Sequence, residues 1–380
     1  MFENIPKNWE KVALENLLEY EQPTNYIVAS EEYNDSYPTP VLTAGKSFIL
    51  GYTNETEGIY QNTPVIIFDD FTTESKFVDF EFKVKSSAMK ILKAKDNDTL
   101  RYLYYLMQVL PFNNTQHKRY WISEYSKIKI GIPKDINEVK EIVKVLDAAD
   151  RIISLRKECI KSAQDLIPVL FQEMFGDMSK NTNSYELFKI KNLGKVTTGS
   201  TPSSKKENMF GGDIPFITPA DLESGRDKYG RYVTQEGAQN SRKVRAGSTL
   251  VCCIGATIGK VDKAIVDSCF NQQINAIEWN ESINDIFGLY LFRQIAPLIR
   301  NKASHTTLPI LNKGNFENII IPKPPKPKQD LFAEKAQEIE EYIKAQQAEL
   351  ENAKTMFQSL LHHFLTGELT RHKSGEKNEK

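Results

Sequence analysis

The chain is poor in the residues that build disulfide frameworks and metal sites. Its 380 residues include four cysteines, Cys159, Cys252, Cys253 and Cys269, and five histidines, His117, His305, His362, His363 and His372. No two cysteines form a CxxC and no two histidines an HxxxH, so neither a zinc site nor a disulfide ladder is indicated. The thiols read as ordinary buried residues of a reducing compartment. Long apolar runs are missing as well. None approaches the roughly 20 residues of a membrane-spanning helix, and the opening MFENIPKNWEKVAL lacks the basic and then apolar order of a secretion signal. These absences predict a soluble, cytoplasmic protein with no membrane partner. Net charge is nearly absent too, with 49 basic against 50 acidic side chains. Local charge is more informative, because residues 186–322 carry 17 basic and 13 acidic side chains inside that neutral whole. With 40% apolar residues the composition is globular, and the length suits about two or three domains.

What the chain has in abundance is repetition, at an interval of about 175 to 190 residues. Trp9-Glu10 followed by Leu14, Asn16 and Leu17 matches Tyr185-Glu186 followed by Ile190, Asn192 and Leu193. Pro40 to Thr43 aligns with Pro215 to Thr218, and Val65 to Phe68 with Thr249 to Cys252. Leu103, Tyr104 and Leu106 pair with Leu289, Tyr290 and Phe292, and both halves then reach the same tripeptide, Ile132-Pro-Lys134 and Ile321-Pro-Lys323. The common order of these matches is what establishes the duplication.

After each Ile-Pro-Lys the apolar period lengthens from about two to about three and a half. Val139, Ile142, Leu146, Ala149, Ile153, Ile160, Ala163, Ile167, Leu170 and Met174 follow the 3-4 spacing of heptad a and d positions. The second half repeats the seam as Phe332, Ala336, Ile339, Ile343, Leu350, Ala353, Phe357, Leu360 and Phe364. Each seam is broken once, by Arg156 and by Gln346, at equivalent heptad positions, and such polar residues can set register. The spacing predicts two long helices that pair antiparallel; the alternative is two amphipathic helices lying on separate domains. Asp135 is placed to cap the first helix, and Pro322, Pro324, Pro325 and Pro327 lead into the second, expected to start near Gln329 or Asp330. Pro168 should kink or interrupt the first helix, and Gly176 and Gly367 should end the two. A helix over residues 135–175 would be about 60 Å long.

The segments 1–134 and 186–322 carry short β-branched or aromatic runs broken by Gly, Pro, Asn and Ser, with helices expected over 100–110 and 286–299. They read as two mixed α/β domains. Residues 135–178 form the central long helix, Met178 to Ser184 a polar linker, 323–370 the C-terminal long helix and 371–380 a disordered tail.

The motifs resemble the specificity (S) subunit of type I restriction-modification systems, over essentially the whole chain. In the second half the likeness rests on Thr198-Gly-Ser-Thr-Pro-Ser203, the run Gly211 to Asp221 (GGDIPFITPAD), Gly255-Ala-Thr-Ile-Gly-Lys260 and Phe270-Asn-Gln-Gln-Ile-Asn275. In the first it rests on Thr43-Ala-Gly-Lys46, Phe68-Asp-Asp-Phe71 with Lys76, and Ser86-Ser-Ala-Met89. The helix ends Leu170 to Gly176 and Leu360 to Leu369 are also similar to that family's. The fold implied is α+β: two mixed α/β target-recognition domains in a pseudo-twofold tandem repeat, joined by two long helices forming an antiparallel coiled coil. The resemblance implies that each domain reads one half of a bipartite double-stranded DNA target. It also implies that two methyltransferase (modification) subunits, using S-adenosylmethionine, do the adenine chemistry. Restriction subunits, where present, would add ATP- and Mg-dependent translocation and cleavage. A chain of two unlike domains mimics a dimer reading two unlike half-sites, so the target should be asymmetric.

Phosphate anchoring needs cations, and base reading needs Arg, Lys, Asn, Gln, Ser or Thr at loop tips. In the second domain the candidates are Ser200, Thr201, Lys205, Lys206, Thr218, Arg226, Lys228, Arg231, Arg242, Lys243, Arg245 and Lys260, the last following two glycines that would admit a close backbone approach. Asn271, Gln272 and Gln273 are candidate base readers, adenine being the usual bidentate partner of an amide, or members of a hydrogen-bonded turn. In the first domain the candidates are Thr43, Lys46, Ser47, Lys76, Lys83, Lys85, Ser86 and Ser87, beside a basic run that continues through Lys90, Lys93 and Lys95. Thr43 and Thr218 sit at matching repeat positions, which favours a shared structural role or backbone contact.

Catalytic readings fail at the level of sequence. Gly255 to Lys260 has three residues between its glycines where a phosphate loop needs four, and Val261 stands where Ser or Thr would bind magnesium. No Asn-Pro-Pro-Tyr or Asp-Pro-Pro-Tyr is present to clamp a flipped adenine. Asp70 with Glu74 and Lys76 has the residue types of a metal-dependent nuclease, but cramped spacing and no counterpart in the other half. A non-enzymatic DNA-recognition scaffold is therefore expected, with a nuclease or a protein-interaction scaffold as alternatives and no metal or cofactor held by this chain.

Overall fold

The computed structural model describes residues 5–44, 47–112, 118–222, 229–303 and 309–367. The chain divides into two units, one of Met1–Lys157 with Ala348–Lys380 and one of Glu158–Gln347. Each unit thus takes a domain together with a stretch of both long helices, instead of breaking where domain meets helix. The reason is packing, because each helix stretch buries its apolar stripe in the core of the domain beside it. The tail expected over 371–380 lies outside the described residues.

In the first unit the elements are β1 (Trp9–Ala13), α1 (Leu14–Leu17), β2 (Leu18–Glu21), β3 (Thr39–Leu42), β4 (Ile49–Thr53), β5 (Val65–Asp69), β6 (Ser75–Val78), β7 (Lys83–Val84), β8 (Met89–Ala94), α2 (Leu100–Met107), β9 (Lys129–Pro133) and the start of α3 (Ile136–Phe175). Strands assemble as a four-stranded sheet β2-β8-β5-β6, a three-stranded sheet β4-β3-β7 and the pair β1-β9. The apolar run Val65 to Phe68 becomes a strand buried along its whole length, with a partner on either side.

In the second unit the elements are β10 (Glu186–Lys189), α4 (Ile190–Leu193), β11 (Gly194–Thr198), β12 (Phe210–Ile217), β13 (Tyr232–Val233), α5 (Gln235–Gln239), β14 (Lys243–Val244), β15 (Thr249–Cys252), β16 (Val261–Lys263), β17 (Ser268–Phe270), β18 (Ile274–Trp279), α6 (Asp285–Asn301), α7 (Lys313–Glu317), β19 (Ile320–Lys323) and the start of α8 (Lys326–Leu365). The sheets are β11-β18-β15-β16, β13-β12-β17-β14 and β10-β19. This is the first unit's plan again. β15 stands where β5 stood, and the parallel pair β12-β17 stands where β3-β7 stood.

The two long helices run antiparallel in both units. In the first, Val139, Ile142 and Leu146 of α3 share a core with Leu361 and Leu365 of α8 and with Trp9, Phe68 and the aromatic face of α2. In the second, Ile167, Phe171 and Phe175 share a core with Phe332 and Ala336 and with Phe287. Along the expected seam Ile153, Ile160 and Leu350 are buried, and Leu170, Ile339, Ile343, Gln346, Phe357 and Leu360 half-buried. Arg156 is half-buried and its guanidinium meets Glu349 at 3.4 Å. The heptad reading missed Phe171 and Phe175 and their repeat counterparts Leu361 and Leu365, all no more than 2% exposed. Near each domain the buried stripe shifts by one residue, since the helix there must cover a domain core as well as its partner helix.

Three further expectations change. Pro168 lies inside α3, which continues to Phe175. The missing N–H removes one rung, and packing of Ile167 and Phe171 holds the rest. The second helix starts at Lys326, earlier than expected, with Pro327 in its first turn, where a proline loses nothing. The 178–184 segment is an ordered turn: Met178 is buried, and the Asn181 side chain both accepts from the Tyr185 N–H and donates to its carbonyl. Gly176 and Gly367 adopt φ of +72° and +74° just beyond the two helices.

Candidate nucleic-acid interface

In the second unit the candidate interface is built around the ends of β12 and β17. The two strands run parallel, Phe216 beside Cys269 and Ile217 beside Phe270, so the chain leaves both in one direction. The Asn271 N–H donates to the Ile217 carbonyl at 3.0 Å, and the Ser200 N–H donates to the Phe270 carbonyl at 3.0 Å. Residues 198–201, 218, 241–242 and 271–275 therefore meet at one end of the domain. Gly199 is required there, because a Cβ would come within 2.1 Å of the Asn271 carbonyl oxygen.

Side chains tie the cluster together. The Arg242 N–H donates to Ser200 Oγ at 3.0 Å and its Nη1 to the Thr198 carbonyl at 2.9 Å. Ser241 Oγ donates to the Ser200 carbonyl, Thr201 Oγ1 to Gln272 Oε1 and Thr198 Oγ1 to Asn275 Oδ1. Six predicted residues, Ser200, Thr201, Arg242, Asn271, Gln272 and Gln273, are brought into contact by this network. Thr198, Ser241 and Asn275 belong to it and were missed; position in the repeat motif pointed at them, but their partnerships are long-range. Lys205 and Lys206 are exposed on the turn that follows, and Lys243 is exposed on β14 beside β17.

The first unit repeats the frame with other residues. β3 and β7 run parallel, and the Lys85 N–H donates to the Leu42 carbonyl at 2.8 Å, the counterpart of the Asn271 bond. Val28 N–H donates to the Val84 carbonyl at 3.0 Å, the counterpart of the Ser200 bond. Thr43 and Ser47 flank one strand end, and Lys85, Ser86 and Ser87 continue from the other. Residues 28–36 stand beside this strand end and were not among the sequence candidates; extending the repeat alignment from 200–206 reaches them. They include Glu31, whose carboxylate pairs with Lys85 and holds that ammonium above the ordinary lysine range.

The structure gives the remaining candidates the following partners and positions. Lys83 is buried, its Nζ donating to the Glu57 carbonyl at 2.6 Å and pairing with Glu55 at 2.8 Å, so it serves the domain interior. Arg245 makes a two-pronged pair with Asp285 at the start of α6, at 2.6 and 2.8 Å, which raises its pKa and commits its charge. Thr218 is a local clamp: its N–H and hydroxyl both donate to the buried Asp221. Lys76 is exposed on β6 in the other sheet of the first unit, and Arg231 lies over the Phe210 ring at 5.6 Å. Lys260 follows Gly259, whose φ of +85° and neighbouring Arg300 side chain show that the glycine serves the loop's own packing. Asn271 closes a turn onto Gln273 through both ends of its amide. Lys46, Arg226 and Lys228 lie outside the described residues.

The nuclease alternative fails on burial. Asp70 is 1% exposed, accepts the Trp121 N–H at 2.8 Å and meets the equally buried Lys90 at 3.3 Å, while Glu74 and Lys76 are exposed on the neighbouring turn and strand. Among the described residues no group of three or more His, Cys, Asp or Glu could hold a metal ion, and no helix is long and apolar enough to cross a membrane.

One scaffold used twice, each copy finishing a parallel strand pair with its own set of polar loops, defines a duplicated recognition protein. The comparisons give the family. The model of the type I restriction modification DNA specificity domain matches residues 6–164 and again 183–353. The specificity subunit of the type I restriction enzyme EcoR124I/EcoR124II from Escherichia coli is 38% identical over 74% of each chain. The putative MjaX specificity subunit from Methanocaldococcus jannaschii is 22% identical over 96% of this chain and 94% of its own. The solved S subunit from M. genitalium shares the fold, with a TM-score of 0.61 at 15% identity over 96% of this chain and 97% of that one. The chain belongs to the family of type I restriction-modification DNA specificity subunits.

Proposed function

We propose that this chain reads an asymmetric, bipartite sequence in double-stranded DNA, one half with each domain, and scaffolds two adenine methyltransferase subunits without doing chemistry itself. One observation carries the reading. The same backbone frame, a parallel strand pair whose ends gather polar loops, occurs in both units, yet the loops share almost no side chains. A common frame gives a common way of meeting a duplex, and unlike side chains give unlike half-sites. S-adenosylmethionine would be held by the methyltransferase subunits, ATP and Mg by restriction subunits where these accompany it, and the complex would act in the cytoplasm.

Methylome sequencing tests this directly. A host carrying the cognate methyltransferase gene should gain one bipartite methyladenine motif when this gene is added. A host with active partner subunits that gains no such motif would exclude the reading. The chain purified alone with Mg should leave DNA uncut.

A further inference from the structure

Resting on the reading that the second domain contacts DNA bases, we propose that Gln273 recognises guanine through its unengaged amide NH2, and that Asn271 is the positioning residue that sets this polarity. The Gln273 backbone N–H donates to Asn271 Oδ1 at 3.0 Å. A backbone N–H has no other role open to it, so the oxygen end of the Asn271 amide is fixed. Asn271 Nδ2 must then point the other way, and it donates to Gln273 Oε1 at 3.1 Å. An NH2 group only donates, so the oxygen end of the Gln273 amide is fixed in turn. Gln273 Nε2 is left with two hydrogens and no acceptor among the described residues.

Adenine is read bidentately when one amide both donates and accepts. Gln273 Oε1 is turned to the Asn271 amide, so the group left wholly unengaged is the NH2, and the edge that matches two free N–H groups is a pair of acceptors, guanine O6 and N7. Asn271, whose amide closes the turn at both ends, acts through Gln273. Gln272 is less constrained, since its partner is the Thr201 hydroxyl, which can donate or accept. Gln273 also sits where several elements meet: its carbonyl accepts the Cys253 N–H at 2.7 Å, which anchors the turn to the end of β15. The amide is therefore presented from a fixed base.

The test uses the full chain expressed with its methyltransferase subunit, read out by methylome sequencing. Wild type should give a bipartite motif. Gln273→Ala should relax a single G·C position in one half-site, with discrimination there falling about 10- to 100-fold, and leave the other half-site as it was. Asn271→Asp keeps the acceptor for the Gln273 N–H but needs a donor on its second oxygen, so the Gln273 amide turns and offers Oε1 outward. At that same position the preference should then move from guanine toward adenine, whose 6-amino group donates where O6 accepted. If wild type yields a bipartite motif and Gln273→Ala changes no position, or relaxes an A·T pair, the assignment is wrong while the recognition reading stands. If Asn271→Asp lowers methylation of every site evenly without shifting the base preference, its positioning role is wrong. Absence of any wild-type motif with active partners would remove both.

Discussion

Beside β7 the first unit's entering segment carries Glu31, Glu32 and Asp35, while beside β17 the equivalent segment of the second unit carries Lys205 and Lys206. The interiors differ as well. On β8, Lys90 is buried against Asp70, and at the corresponding register of β18 stands the fully buried Ile274. The backbone frame tolerates both because its hydrogen bonds are made main chain to main chain and are indifferent to the side chains. A duplicated fold can therefore keep its geometry while the surface that meets a ligand, and even one charged position of the core, diverge. The junctions with the long helices show the same freedom. Asp150 of α3 and Glu340 of α8 are repeat equivalents; the first meets Arg101, the second Lys263 and Tyr290.

Breaking the interior difference should give the largest effects. Lys90→Ile leaves Asp70 buried without its cation and should cost about 3–5 kcal/mol, read from the urea denaturation midpoint. Ile274→Lys places an unpaired ammonium at the same register of the second unit and should be at least as damaging. If both changes are tolerated, the contrast between the two sheets is not real. Packing comes next: Phe171→Ala should cost about 3–5 kcal/mol, and Leu170→Ala, half-buried beside it, clearly less. Equal losses would show that the expected heptad position faces the core as fully as its neighbour.

The surface contrast should appear in salt dependence. Lys205→Ala with Lys206→Ala should reduce the slope of log affinity against log salt for the methyltransferase complex by about 2. Glu31→Lys with Glu32→Lys, which copies the second unit's charge onto the first, should steepen it. Slopes insensitive to both pairs would mean that these segments do not approach phosphates. The smallest effect is in thiol reactivity. Burial pushes the Cys253 thiol up to about 12, and Cys252 and Cys269 are buried too, while Cys159 is exposed on α3. Alkylation of the native protein at neutral pH should label Cys159 first, and fast labelling of Cys253 would contradict the packing of the second unit.

Much of the architecture was legible because it rests on local, periodic information. The repeat, the change of apolar period after Ile132-Pro-Lys134 and Ile321-Pro-Lys323, and the buried strands at Val65 and Thr249 all follow from side-chain spacing along the chain. The same reading treats Lys83 and Lys90 as surface cations, since a lysine's place in the sequence does not reveal whether a carboxylate from a distant segment reaches it. It also gave the Asn271 to Gln273 turn its residue types but not its polarity.

By itself, the sequence determined the duplication, the paired heptad helices and the family, because periodicity and motif order are written in consecutive residues. Only the tertiary structure decided which cations are turned inward, which residue of each long helix meets a domain core, and which end of the Gln273 amide Asn271 engages. Those outcomes depend on partners brought together from far along the chain, where burial and the one-way character of each N–H leave a single consistent arrangement.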